Sequence, residues 1–213
     1  LISGKRTAYA YTNELTTSSL LALAEAMSRS VSGREDAGER TIVLHGTFSA
    51  GKESFVKQLP ELVTTDRKAN IVKRANHVAR NFDPRVRQVL VTYRENYQEV
   101  LIATSSGELI EDTRCYLTAM VQVVASAGGT VQTGYEPVRG LIGMELFDPE
   151  PLAKAAEKAT RRALMMLTAR KAPAGRMPVV LSSDAGGTMI HEAIGHGLEA
   201  DLAQSGLSVY SGK

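Results

Sequence analysis

Residues 191–196 read His191-Glu192-Ala193-Ile194-Gly195-His196, and the spacing of the two histidines constrains the local fold more than any other feature of the chain. They stand five residues apart. At roughly 100° per residue, five steps leave two side chains about 140° out of alignment on a straight α-helix, against about 40° for four steps. The pair can reach a common point only if the helix departs from ideal geometry between them. Gly195, with no Cβ, is placed to allow that, and a single-turn π-bulge would absorb the extra residue equally well. The spacing therefore predicts a distorted helix.

The residues before the hexapeptide define how it is presented. Met177-Pro178-Val179-Val180-Leu181 reads as a buried strand, Ser183-Asp184-Ala185-Gly186-Gly187 as a turn, and Thr188 as a helix N-cap. That arrangement puts His191 in the first turn, where the helix dipole favours neutral imidazole, the metal-binding form. Two imidazoles and a carboxylate are the parts needed to hold a metal ion and activate its bound water. His191 and His196 are the candidate ligands and Glu192 the candidate general base. The known zinc-peptidase helix motif is His-Glu-x-x-His, one residue shorter. Glu199, three residues past His196, is placed as an outer partner of that histidine or as a ligand. The competing reading has His191 as a capping histidine and His196 as a surface one.

Composition narrows the alternatives. The 213 residues are 43% hydrophobic with 5% aromatics and no Trp, so any core is aliphatic. Lys and Arg are interleaved with acids at a net charge of +2, which argues against a nucleic-acid surface. No run approaches the roughly 18 apolar residues of a membrane span. Cys115 is the single cysteine, which excludes an internal disulfide and fits a reducing compartment.

Along the chain, residues 1–12 alternate as a strand. Thr17 caps an amphipathic helix to about Arg29, and Ser30 to Arg40 is polar and glycine-containing. Thr65 caps a helix from Asp66 to Asn81 that Asp83-Pro84 ends, and His77 reads as a surface histidine on it. A β-rich stretch follows, with runs at Val86–Arg94, Glu99–Thr104, Tyr116–Ala125 and Thr130–Tyr135. Asn96, Ser105-Ser106-Gly107 and Gly128-Gly129 are the turn signals between them. Together they suggest an antiparallel meander with Cys115 as a buried thiol. Asp148-Pro149-Glu150 opens a long helix to about Thr168.

A second motif competes for attention. Gly46-Thr47-Phe48-Ser49-Ala50-Gly51-Lys52 follows the apolar Thr41–Leu44 and fits the phosphate-binding G-x-x-x-x-G-K pattern. Position 53 is Glu, where a magnesium-binding Ser or Thr is needed. A P-loop-like nucleotide binder is therefore an alternative with a specific defect, and His45 beside it reads as structural.

The stretch Ala172-Pro173-Ala174-Gly175-Arg176-Met177-Pro178-Val179-Val180-Leu181, with Thr188-Met189-Ile190-His191-Glu192-Ala193-Ile194-Gly195-His196-Gly197-Leu198-Glu199-Ala200-Asp201, closely resembles the TldD/PmbA family of metallopeptidases. Ser208-Val209-Tyr210-Ser211-Gly212 continues the likeness. Ile2 to Thr12 is similar to the family's early strand pair, and Asn81-Phe82-Asp83-Pro84-Arg85-Val86 to its middle region. The histidine motif favours the TldD-like branch, since the PmbA-like (TldE) partners lack it. The resemblance implies a cytoplasmic zinc peptidase acting on unfolded or extended peptides, working as a homodimer or as a heterodimer with a TldE/PmbA-like paralogue. Carried over to this chain, His191 and His196 bind Zn2+ and Glu192 is the base that activates the zinc-bound water. The family's third ligand is a cysteine near the C-terminus of a much longer chain, so this chain reads as an internal fragment. The expected fold class is α+β, with mixed helices, an antiparallel sheet and a strand–turn–helix carrying the metal motif. Residues 1–40 would end an N-terminal α/β domain and 41–64 would link it onward. Residues 65–147 would form a β-rich middle domain, and 148–213 would begin the metallopeptidase domain. A non-catalytic subunit or scaffold of a peptidase complex is the other alternative.

Overall fold

A computed structural model describes residues 1–3, 6–31, 41–49 and 56–212. The chain forms two compact units, Leu1–Leu167 and Thr168–Lys213. In the first, β1 (Ile2–Ser3) and β2 (Arg6–Thr7) make a short antiparallel ladder. The alternation of residues 1–12 extends no further as strand, because a strand persists only where a partner satisfies its backbone. Helix α1 (Thr17–Val31) is capped by Thr16, one residue before the expected Thr17. The Thr16 hydroxyl accepts from the Ser19 amide at 3.3 Å, and its carbonyl accepts from the Leu20 amide at 3.0 Å. β3 (His45–Ser49) then pairs in parallel with a later strand.

Helix α2 (Thr65–Phe82) is capped by Thr64, whose side chain accepts from the Arg67 amide, and ends at Asp83 before Pro84. Three long strands follow: β4 (Val86–Ala103), β5 (Glu108–Ala127) and β6 (Thr130–Gly140). β5 is central, antiparallel to β4 along nearly its whole length, with β6 beside its second half and β3 beside its start. Asn96 lies inside β4, paired with Tyr116, so the turn expected there is absent. The other two turns form as expected. Gly128 and Gly129 both take positive φ, 56° and 81°, which suits the tight two-residue connection between β5 and β6.

Side chains alternate across a strand, and β5 buries one whole set: Cys115, Leu117, Ala119, Val121, Val123 and Ala125. Helix α3 (Pro151–Met166) buries Leu152, Ala155, Ala156, Ala159, Thr160 and Ala163, and α2 contributes Ala75 and Ala79 to the same core. The many alanines let the helices approach closely. Closest is Gly134 of β6, where a Cβ would come within 2.1 Å of the Ala159 carbonyl oxygen. Helix α3 starts at Pro151 behind a left-handed Glu150 (φ 60°), its cap two residues after the expected Asp148. Its packing on β5 and β6 places it in the first unit, and the compact units part at Leu167/Thr168. Glu145, in a 3-10 turn at Met144–Phe147, holds the incoming segment. Its carboxylate accepts from the amides of Lys57 at 2.8 Å and Gln58 at 3.0 Å.

The second unit holds α4 (Ser183–Ala193), a 3-10 turn at Gly195–Leu198, and α5 (Ala200–Gln204). Met177–Leu181, expected as a buried strand, forms none, and Val180 is 99% exposed. Among the described residues no strand pairs with it, and an apolar β-branched run alone cannot make a ladder. The architecture is α+β. Among the described residues, no helix is long and apolar enough to cross a membrane.

Candidate metal centre

The motif helix starts earlier than its sequence suggests. Ser182 is the extended residue before α4, and Asp184 stands in the first turn. Gly186, Gly187 and Thr188 are helical interior, not turn and cap. The Gly186 amide bonds to the Ser182 carbonyl at 2.7 Å, and the Leu181 side chain lies close against Gly186. His191 consequently falls in the last turn of α4, not the first. The dipole argument for a neutral His191 does not hold there, since the C-terminal end of a helix favours positive charge.

The expected distortion is present, and its location is instructive. Helix α4 stops at Ala193, and Ile194 leaves the helical region with φ −128° and ψ −46°. From Gly195 the chain continues as a 3-10 turn to Leu198. The unusual dihedrals belong to Ile194, and Gly195 does not take a positive φ. A Cβ at Gly195 would meet His191 Nδ1 at 3.5 Å, an ordinary van der Waals contact, so neither a positive φ nor a lack of room requires glycine there.

The break gathers the side chains that a straight helix would separate. The His191 and His196 rings lie 4.4 Å apart between centroids, at 67°. One potential ligand atom from each of His191, Glu192 and His196 falls within 4.8 Å of the others. His196 Nε2 is 3.6 Å from a Glu192 carboxylate oxygen, while its Nδ1 is 2.5 Å from Glu199 Oε1. The hydrogen bond that His196 donates to Glu199 raises the pKa of His196, aided by the charge of Glu199 and opposed by desolvation. All three clustered residues are exposed, so an incoming molecule can reach them. Two imidazoles and one carboxylate suit zinc by ligand type. The residues therefore fit a metal ion.

A second contact layer, which sequence reasoning did not assign, supports the 3-10 turn. Ser208 Oγ donates to the Gly197 carbonyl and accepts from the Tyr210 amide at 3.0 Å. The Tyr210 ring lies against Gly197, where a Cβ would meet it at 2.7 Å. In the sequence, the only signal was Ser208 and Tyr210 continuing the family likeness.

The other candidate residues serve the first unit. Cys115 is buried in the sheet core, and desolvation pushes its thiol up, the unreactive direction. His77 is exposed and hydrogen-bonds Asn81 one helical turn on. His45 opens β3, and Gly46 to Ser49 continue that strand, whereas a phosphate-binding loop would leave the strand at Gly46. Ala50 to Phe55, including Gly51, Lys52 and Glu53, lie outside the described residues.

Against known families, residues 58–167 match the PmbA/TldA metallopeptidase central domain, and residues 174–213 match the corresponding C-terminal domain. A metalloprotease TldD homolog of Haemophilus influenzae is 31% identical over 100% of this chain and 45% of its own length. A metalloprotease of Methanocaldococcus jannaschii is 35% identical over 62% of this chain and 29% of its own length. The chain thus spans less than half the length of these curated relatives. Among solved structures, a proposed modulator of DNA gyrase from Bacteroides thetaiotaomicron superposes with a TM-score of 0.69. It is 18% identical, over 95% of this chain and 46% of its own. A similarly described protein from Thermotoga maritima gives 0.66 at 19% identity, over 84% of this chain and 40% of its own. At those identities the likeness establishes the fold alone.

Proposed function

The chain belongs to the TldD/PmbA family of metallopeptidases, and on that premise we propose that its second unit carries the zinc-binding turn and general base of a peptidase. One observation carries the reading: the break at Ile194 brings His191, Glu192 and His196 into one cluster despite their five-residue span. His191 and His196 are the zinc ligands in this proposal, His196 through Nε2. A zinc ion so held supplies a Lewis acid and lowers the pKa of water to about 7.

Glu192 has a different task. Its carboxylate stands beside His196 and open to solvent. It takes the proton of the attacking water and returns it to the departing amine. The openness of the cluster supports substrates that are unfolded or extended peptides, which can lie across an exposed turn without a deep pocket. The family resemblance implies a third protein ligand, proposed to be a cysteine in a longer chain; Cys115 is committed to the sheet core. Assembly as a homodimer, or with a TldE/PmbA-like paralogue, and a cytoplasmic location belong to the same proposal.

Metal analysis and peptide hydrolysis test the assignment. The unaltered protein should carry about one zinc per chain, and a His191→Ala, His196→Ala double variant should carry none. Glu192→Gln should keep the zinc and lose the slow chemical step, at least a hundredfold in turnover of an unstructured peptide. Zinc retained by the double variant, or full turnover by Glu192→Gln, would remove these residues from the reaction.

A further inference from the structure

Resting on the metal reading above, we propose that Glu199 is the positioning residue of the centre: it fixes the tautomer and ring orientation of His196 and is not itself a ligand. The observation is the division of the imidazole between two carboxylates. Nδ1 of His196 is 2.5 Å from Glu199 Oε1, and Nε2 is 3.6 Å from Glu192 Oε2. An ionised carboxylate only accepts hydrogen bonds, so the neutral ring must carry its proton on Nδ1 to satisfy Glu199. The lone pair is then on Nε2, facing the cluster. A carboxylate behind a ligating histidine is the general device by which proteins orient such rings.

The local backbone explains why Glu199 can do this. In a 3-10 helix side chains three residues apart eclipse, and His196 and Glu199 are so spaced across the Gly195–Leu198 turn. The turn closes with the Glu199 amide donating to the His196 carbonyl at 3.4 Å. Ser208 and Tyr210 brace the same turn at Gly197, which keeps the two side chains in register. The ligand atoms that cluster are those of His191, Glu192 and His196; Glu199 meets the His196 ring at Nδ1, the nitrogen that is not beside Glu192.

The test separates an orienting carboxylate from a ligand. The protein in its natural chain is prepared unaltered and as Glu199→Ala, Glu199→Gln and His191→Ala, and zinc affinity is measured by competition with a chromophoric chelator. The metal-free proteins, labelled with nitrogen-15 in histidine, are examined by NMR for the His196 tautomer above its titration range. Glu199→Ala should weaken zinc binding roughly 10- to 100-fold and leave His196 a mixture of tautomers. Glu199→Gln still offers an oxygen to Nδ1, so it should keep the Nδ1–H form and stay within about threefold of the unaltered affinity. Equal losses in the Ala and Gln variants would make Glu199 a ligand and overturn the proposal. Unchanged affinity in Glu199→Ala, with zinc lost from His191→Ala, would overturn it while leaving the metal reading intact. Zinc binding unaffected by His191→Ala would overturn the metal reading itself, and the proposal with it.

Discussion

Asp83 shows how much one carboxylate can settle. It ends α2, and its two oxygens accept from the Arg85 amide at 2.9 Å, from Nε at 2.9 Å and from Nη2 at 2.8 Å. The Arg85 side chain, then the Arg85 amide, pull its pKa from the ordinary 3.8 down to about 2. The folded carboxyl thus binds its proton more weakly than the unfolded one. Its contribution to stability is fully present above about pH 4 and is lost as pH falls through about 2. Urea midpoints measured from pH 5 to pH 2 should fall in that window, and Asp83→Asn should flatten that part of the curve. A variant with the same acid slope would show that the ion pair carries none of it. Gly134 makes the opposite case, where the absence of a side chain is the constraint. An added methyl would meet α3 backbone at Ala159 and Ala163, which cannot rotate aside as a side chain can. Gly134→Ala should cost about 1–3 kcal/mol, as overpacking does, seen as a lower urea midpoint at unchanged slope.

At the scale of elements, what was legible in the sequence followed its periodicities and what was not depended on distant partners. The run Tyr116–Ala125 reads as a strand, and the structure makes it part of β5, with every second side chain buried. The five-residue histidine spacing required a broken helix, and the helix breaks. Which residue breaks it was not legible, since Gly195 has the freer backbone yet Ile194 takes the unusual angles. Local turn chemistry misled at Asn96, where a complete ladder with β5 outweighs one residue's preference. It misled again at Gly186-Gly187: each glycine costs a helix about 1 kcal/mol, but Gly186 lets Leu181 pack close. Neither β4 nor β5 is uniform along its length, and that has a measurable consequence. Leu117 is 1% exposed under the helices, whereas Leu101, at the far end of β4, is 65% exposed. Leu117→Ala should cost about 2–5 kcal/mol through transfer and cavity terms. Leu101→Ala should stay within about 0.5 kcal/mol. Comparable losses at both sites would mean that something covers the outer half of the strand pair in solution.

For the molecule as a whole, the contrast between the two units decides where a metal ion can matter. The first has a continuous aliphatic core built from β5, α2 and α3. In the second, Gly186 alone among the described residues is buried. Local opening is easiest where few apolar contacts oppose it, so the units should differ widely in amide hydrogen exchange. Amides of β5 and α3 should be the slowest in the 213-residue chain, and those of α4 should exchange far faster. A ligand that binds only the ordered form stabilises by RT ln(1 + [L]/Kd), about 2.7 kcal/mol at a hundredfold excess over Kd. Zinc should therefore slow exchange across Ser183–Ala193 and the following turn by up to about a hundredfold at that excess, and leave β5 unchanged. EDTA should reverse the effect. Protection spreading equally over both units would mean that metal acts on global folding and not on the histidine turn. No protection in the second unit, with zinc bound, would place the ion somewhere other than His191 and His196.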